Sequence, residues 1–476
     1  QPSLMSGSPY GVAKLERLEA ILRSSAIYEL GKLVPSAPVT AGGRRRRFPG
    51  YSFFLYEALI SVYLSARQVE AELSHPVVWR FARRLTKKLF PEEPEMWLPR
   101  TPIRRHHYLY VRNRYLQESK TLRAIASLHR QIAANQAREL GLMDPKGPGT
   151  WTSPDPTRLV HADGKVITPL FKAKPGEVRV NKQTGEARDL QFEPDAGLHF
   201  EGTGETAWGT KFVIVAARSG QAHGRIILDV EWVAKPGAEA AGAMDSLVRI
   251  APAIPGAQAV VYDNALRGVH HQRLLRELGL MPINRVAALA AGEKKSTHTH
   301  GDRVEKSVHV ESRQVTLADG SVRTYAIYAL GGAIGIGELN DGGELEFVEL
   351  KRLRTLRLGS KAGAYRWYNE YRLPPEYGSE KIRVRLYGNA EDKARRFNRT
   401  ENIRPISPTE PAFKKLFGRR NDCEAINRDL VDSMWLGRAH SLGHARQHLN
   451  LIGYAVMVNA LALHQHRKRR EKLTAA

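Results

Sequence analysis

The sequence predicts an α/β protein: a mixed-sheet core preceded by an all-helical amino-terminal region and interrupted by a β-rich insertion. Three observations predict it. Residues 1–150 read as helical and basic. From about residue 155 short β-branched runs alternate with helical segments. Between 294 and 400 alternating strands with turn residues take over, and helical texture returns from 401 to 476.

The first 150 residues hold 24 Lys and Arg against 12 Asp and Glu, half of the formal net charge of +24 carried by all 476 residues. After Arg44–Arg47, the stretch "YSFFLYEALISVYLSARQVEAELSHPVVWRFARRLTKKLF" predicts three short helices. Ser65 is placed to cap the second, and "SHP" to turn the chain before the third. The third helix carries Arg80, Arg83, Arg84, Lys87 and Lys88 opposite Val77, Val78, Phe81 and Leu85. That pattern suits the reading helix of a helix-turn-helix, and equally a bundle with a solvated basic face. "RNRYLQESKTLRAIASLHRQIAANQAREL" reads as one long helix ended by Gly141.

A composition of 42% hydrophobic and 26% charged residues is that of a soluble globular chain. The basic excess attracts polyanions, and double-stranded DNA is favoured over anionic membrane. The most apolar run, "LNLIGYAVMVNALAL", is too short to span a bilayer and includes Asn450 and Asn459, so it is expected to be a buried helix and no membrane is expected as partner. Cys423 is the sole cysteine, which excludes an intramolecular disulfide and a cysteine-based zinc site. "QPSLMSGSPYGVAK" lacks the pattern of a signal peptide, and a cytoplasmic, nucleoid-associated bacterial protein is expected.

The core is expected to begin within 151–293. "TRLVHADGKVI", "KFVIVAARSG" and "GRIILDVEWVA" read as strands, "GAEAAGAMDSLVRIAPAI" as a helix, and "AQAVVYD" as a short buried strand. "ALRGVHHQRLLREL" follows as a helix and "MPINRVAAL" opens with a strand. Three strands, helix, strand, helix, strand is the order of a ribonuclease-H-like core. Residues 294–400 form the insertion, in which "KIRVRLYG" sets Lys381, Arg383 and Arg385 on one side; residues 401–476 complete the core.

Asp163 follows the apolar start of the first strand, and Asp263 closes "AVVYD". Strand ends of an open α/β sheet face a crevice, so if the first and fourth strands are neighbours the two carboxylates approach one cation. Glu424, on a helix returning after the insertion, completes the set. Taken singly, each aspartate is more often a turn or cap residue, and Glu424 a surface acid beside an arginine. Hard oxygen ligands suit Mg²⁺, with Mn²⁺ able to substitute. Two such ions about 4 Å apart activate a water or 3′-OH and stabilise the leaving oxygen. Other features carry less. Asp229 is expected at a solvated sheet position, and "GGAIGIG" lacks what a nucleotide-binding loop requires. His440, His444 and His448 recur every four residues as one helical stripe, read as polar and DNA-facing or interhelical, not as a zinc pair.

The pattern resembles the DDE transposases of bacterial insertion sequences that carry a β insertion between the second Asp and the Glu. "HADG" and "VYDNALRG" resemble the first two Asp motifs. The carboxy-terminal Tyr-x2-Arg-x3-Glu-x6-Lys signature is matched by Phe417, Arg420 and Glu424, with phenylalanine for tyrosine and Val431 at the lysine position. The resemblance implies that Asp163 bridges two metal ions while Asp263 and Glu424 each hold one side. It also implies that Arg420 contacts phosphate near the cut, with Arg428 partly replacing the lysine and Phe417 still packing. Metal-dependent hydrolysis at terminal inverted repeats and 3′-OH attack on target DNA would follow, in a complex containing at least a dimer. Trp367, with Tyr365, Tyr368 and Tyr371, is either a stacking platform for bases or a local aromatic core. A non-cutting DNA-binding descendant and a structure-specific nuclease are the alternatives.

Overall fold

The computed structural model describes residues 12–35, 47–200, 205–286, 289–290, 298–300, 303–305, 307–317, 319–339, 345–359 and 363–475. Arg44–Arg46 and the "NDGG" turn lie outside the described residues. The amino-terminal helices are α1 (Lys14–Arg23), α2 (Ser25–Gly31), α3 (Tyr51–Tyr63), α4 (Ala66–Ser74), α5 (Pro76–Leu89), α6 (Arg105–Val111) and α7 (Ser119–Glu139). Next come β1 (Leu159–Ile167), the short strands β2 (Val178–Val180), β3 (Ala187–Asp189) and β4 (Gly197–Phe200), then β5 (Thr206–Arg218) and β6 (Arg225–Val233). They are followed by α8 (Glu239–Ile250), β7 (Ala259–Val261), α9 (Gly268–Arg273) and β8 (Met281–Ile283). The β-rich stretch holds β9 (Leu289–Ala290), β10 (His298–His300), β11 (Arg303–Glu305), β12 (Val308–Thr316), β13 (Val322–Leu330), β14 (Ala333–Leu339), β15 (Leu345–Glu349), β16 (Lys351–Leu358), β17 (Arg366–Arg372) and β18 (Lys381–Arg385). The chain closes with α10 (Ala390–Ala394), α11 (Arg399–Asn402), α12 (Pro411–Phe417), α13 (Arg420–Asp432) and α14 (His444–Ala475).

This is a mixed α/β architecture. The principal sheet has the order β4-β5-β1-β7-β8, with β6 beside β5. β5 and β6 are antiparallel, whereas β1, β7 and β8 run parallel. The chain forms two compact units, divided within β1: residues 1–142, 163–253 and 423–476 make one, and residues 143–162 and 254–422 the other. Spatial contacts therefore group the amino-terminal helices with α14 and most of α13, a grouping that texture along the sequence does not display.

In the first unit the predicted three short helices form where expected. Ser65 accepts from the Gln68 N–H at the start of α4, and Pro76 opens α5 where its missing N–H costs nothing. α3 is buried on every side, and α14 packs on it with Leu449–Leu463 almost wholly buried, as the apolar run predicts. The close approach needs Gly453: a β-carbon there would lie 2.7 Å from Glu57 Cγ and 2.9 Å from its carbonyl oxygen. Glu57 itself is fully buried, and its carboxylate accepts from the Tyr108 hydroxyl and the Asn450 amide. Burial pushes its pKa up.

Several expectations are corrected here. The long helix before Gly141 is divided, because Glu118 leaves the helical conformation and its carboxylate caps α7 by accepting from Lys120 and Thr121 N–H groups at 3.0 and 2.9 Å. The helical texture after Asn421 breaks between α13 and α14 at Leu436 (φ 53°), Gly437 (φ 64°) and Gly443 (φ 83°), which leaves His440 outside α14 and off the histidine stripe. Val77 is 63% exposed, so the apolar face of α5 is carried by Val78, Trp79, Ala82 and Leu85. Asp229 is buried, not solvated: it accepts from Ser246 Oγ at 2.6 Å and pairs with Arg130 at 3.2 Å.

The second unit is built on three antiparallel strands, β16-β17-β18, the four-stranded sheet β12-β13-β14-β15, and the parallel β7-β8 pair. Trp367 is completely buried, donates its indole N–H to the Leu275 carbonyl at 2.7 Å and meets Trp151 edge-on at 5.2 Å. The aromatic-core alternative is the one realised, and Trp367 presents no face on which a base could stack. Among the described residues no helix is long and apolar enough to cross a membrane.

Two outcomes are expected from this packing. Glu57→Gln keeps both hydrogen-bond partners and should move the urea midpoint little, whereas Glu57→Leu orphans two buried donors and should cost about 2–4 kcal/mol. Burial also holds His129 and His448 of the first unit neutral, with pKa values lowered from 6.5 to about 4. A depressed histidine pKa means that the unfolded chain binds more protons between those values, so stability should fall as pH drops from 6.5 towards 4. Replacing His129 by Gln should flatten that fall in pH-dependent urea titrations.

Candidate metal centre

The parallel register of β1 and β7 sets the geometry. Leu159, Val160 and His161 stand opposite Ala259, Val260 and Val261. Asp163 and Asp263 each lie two residues beyond the last registered pair, so they are level with one another past the carboxyl end of β7. Side chains two apart share a face of a strand. The condition set by the sequence, that the first and fourth strands be neighbours, is met.

The third carboxylate is Glu239, the first residue of α8. One oxygen from each of Asp163, Glu239 and Asp263 lies within 4.8 Å of the others, and all three residues are half-buried. Such a donor set can hold a metal ion; carboxylate oxygens alone favour a hard divalent cation over zinc. Three carboxylates this close repel one another, and the Lys211 ammonium beside Glu239 offsets part of that repulsion.

Neighbouring residues hold each ligand in place. Asp163 Oδ2 accepts from Asn427 Nδ2 on α13 at 2.7 Å. Glu239 pairs with Lys211 of β5, which is 8% exposed. Asp263 Oδ1 accepts from the Ala265 N–H at 2.8 Å, an Asx turn that fixes the side chain as the strand ends. Gly164 makes room for Glu239: a β-carbon there would lie 2.5 Å from both Cδ and Oε1 of that glutamate. His161, on the same face as Asp163, meets the Arg419 carbonyl at 2.9 Å through Nδ1 and the Asp422 carboxylate at 3.9 Å.

Glu424 is exposed on α13 and is not among the three clustered carboxylates. It stands three residues before Asn427, hence on the adjoining stretch of the same helix face as the residue that touches Asp163. Arg420 opens α13 half-exposed, and Arg428 is exposed. Phe417 stacks on Phe413 at 5.1 Å, with the Arg285 guanidinium 5.6 Å from its ring, as a packing residue does. On α5, Arg84, Lys87 and Lys88 are exposed, while Arg83 is half-buried and donates to the Leu98 carbonyl at 3.2 Å. Lys87 also sits 4.5 Å above the Trp97 ring.

Sequence reasoning missed Glu239. Its position in the first turn of a helix is where acids ordinarily offset the helix dipole, so nothing marked it out. The only available signal was its place after the third strand. The histidine stripe dissolves into separate contacts: His444 pairs with Asp195 at 2.9 Å and stacks on Trp232 at 3.6 Å, while His448 Nε2 meets the Val230 carbonyl at 2.8 Å.

No protein-family model matches this sequence, and no curated protein matches it.

Isothermal titration with Mn²⁺ tests the centre. Asp163→Asn and Asp263→Asn should abolish binding, and both should raise the melting temperature of the metal-free protein by relieving repulsion. Gly164→Ala should displace the Glu239 carboxylate and weaken Mn²⁺ by about 10–100-fold, the cost typical of removing a ligand's support. Glu239→Gln should match it.

Proposed function

We propose that the protein is a DNA transposase with a metal-dependent, ribonuclease-H-like catalytic core. The observation that carries this reading is the convergence of Asp163, within β1, and Asp263, just past the end of the neighbouring parallel strand β7, with Glu239 alongside. The strand order supports it: the first core strand, β1, lies between the second, β5, and the fourth, β7. The net charge of +24 supports a polyanionic substrate.

In this reading Asp163, Asp263 and Glu239 hold Mg²⁺ or Mn²⁺ in the free protein, and Glu424 joins from α13 when DNA is bound. The ion supplies an activated water or 3′-OH and charge neutralisation at the leaving oxygen. The chain's own residues orient the reactants. Asn427 fixes Asp163, Lys211 holds Glu239, and Arg420 engages a phosphate beside the cut through its planar guanidinium. Terminal inverted repeats and target DNA are the substrates, and bringing two ends together takes at least two protomers. One observation favours the second reading, a DNA-binding descendant that does not cut: Val431 stands where the related signature has lysine.

Purified protein incubated with labelled duplex carrying the repeats that flank its gene, with Mg²⁺ or Mn²⁺, tests both. Metal-dependent nicking at repeat ends, abolished by Asp163→Asn and Asp263→Asn, is expected, and Glu424→Gln should remove it while leaving Mn²⁺ affinity intact. Nicking that survives Glu424→Gln and disappears in Glu239→Gln reassigns the third ligand. Binding without nicking in every condition establishes the second reading.

A further inference from the structure

The three-stranded sheet β16-β17-β18 exposes a face whose charge the fold does not need. The register places Lys351, Arg372 and Lys381 directly opposite one another across the three strands. All three are exposed, and among the described residues none forms an ion pair with a carboxylate. Like charges directly opposite destabilise a sheet. The next row is Arg354–Glu370–Arg383, in which both guanidiniums bind one carboxylate, the second at 2.7 Å, so Glu370 offsets only one of two cations. Exposed Arg366 ends the same face.

A bulge makes the arrangement possible. Between Arg352 and Arg354 the pairing with β17 shifts by one residue, at Leu353. Lys351 and Arg354, three apart in sequence, thereby share the outward face, while Arg352 turns inward and binds Glu410 at 2.6 Å with its side chain 5% exposed. The bulge thus puts Lys351 in the row of Arg372 and Lys381 and leaves Arg352 to pair with Glu410.

Rows of cations repeat about 7 Å apart along a strand and about 4.8 Å between strands. A flat, arginine-rich face with that spacing matches a line of phosphates, and guanidinium groups suit phosphate oxygens. A membrane surface is less well matched, because two full rows of the face are charged and its apolar side chains, Leu356, Leu358 and Tyr368, are confined to the other end.

We propose that the outward face of β16-β18 is a second nucleic-acid contact that grips the phosphodiester backbone of double-stranded DNA without regard to sequence, apart from the carboxylate centre. The partner is the one proposed above, yet the contact does not depend on cleavage.

The test is fluorescence anisotropy on full-length protein with a random-sequence duplex, in EDTA, across about 50 to 200 mM KCl, a range over which phosphate contacts dominate the change in affinity. The triple variant Lys351→Gln, Arg372→Gln, Lys381→Gln should reduce the slope of log affinity against log salt by about 2–3, near 0.9 for each phosphate that is no longer neutralised. Its melting temperature should be unchanged or higher, since like-charge repulsion is relieved. If the triple variant melts lower, Arg372→Gln alone replaces it, with an expected slope change of about 1. An unchanged slope in a folded variant overturns the proposal. So does loss of binding to phosphatidylserine vesicles with the DNA slope intact, which assigns the face to a membrane surface. Because metal is chelated, failure of the cleavage reading leaves this result standing, and failure here leaves the cleavage reading untouched.

Discussion

The parallel pairing of β1 with β7 is the constraint on which the candidate centre depends. A parallel pair places residues of the two strands at the same height, so two aspartates equally far past the last registered pair arrive together. Slippage by one residue would turn one carboxylate to the opposite face. The register is held by a continuous apolar run, Leu159 and Val160 against Ala259, Val260 and Val261, all buried. Hydrophobic burial thus sets the spacing of charges that would otherwise keep apart.

The same economy of polar groups runs through the first unit. Glu57 sits in a helix buried on every side, and Gly453 lets α14 come close enough for Asn450 to reach it. A buried carboxyl satisfied by Tyr108 and Asn450 costs little and restricts how α3 and α14 pair, since an unsatisfied group there would be expensive. Asp229 on β6, held by Ser246 and Arg130, is a second acid taken into the interior.

Positive charge is distributed by two different rules. On α5 the basic residues occupy the face left over after Val78, Trp79, Ala82 and Leu85 are buried, as in many solvated helices. On β16-β18 the cations confront one another in register, an arrangement that folding alone disfavours. The second distribution is the more informative about a polyanionic partner, because packing does not account for it.

Much of the architecture was legible in the sequence. Periodicity and punctuation marked the three short helices, the Ser65 cap, the core strands and the buried run Leu449–Leu463, because each rests on neighbours within one element. Asp163 and Asp263 were legible as well, since a carboxylate that follows a short apolar run departs from the pattern around it, although β1 continues past Asp163 to Ile167. Glu239 was not, because an acid in the first turn of a helix is ordinary until the tertiary structure sets it beside two others. Nor was the outward face of β16: simple alternation pairs Arg352 with Arg354, and only the bulge at Leu353 separates them. Asp229 was misjudged, and the choice for Trp367 was left open, for a related reason. A one-dimensional pattern says which residues share a face, whereas burial of that face depends on what packs against it from elsewhere in the chain.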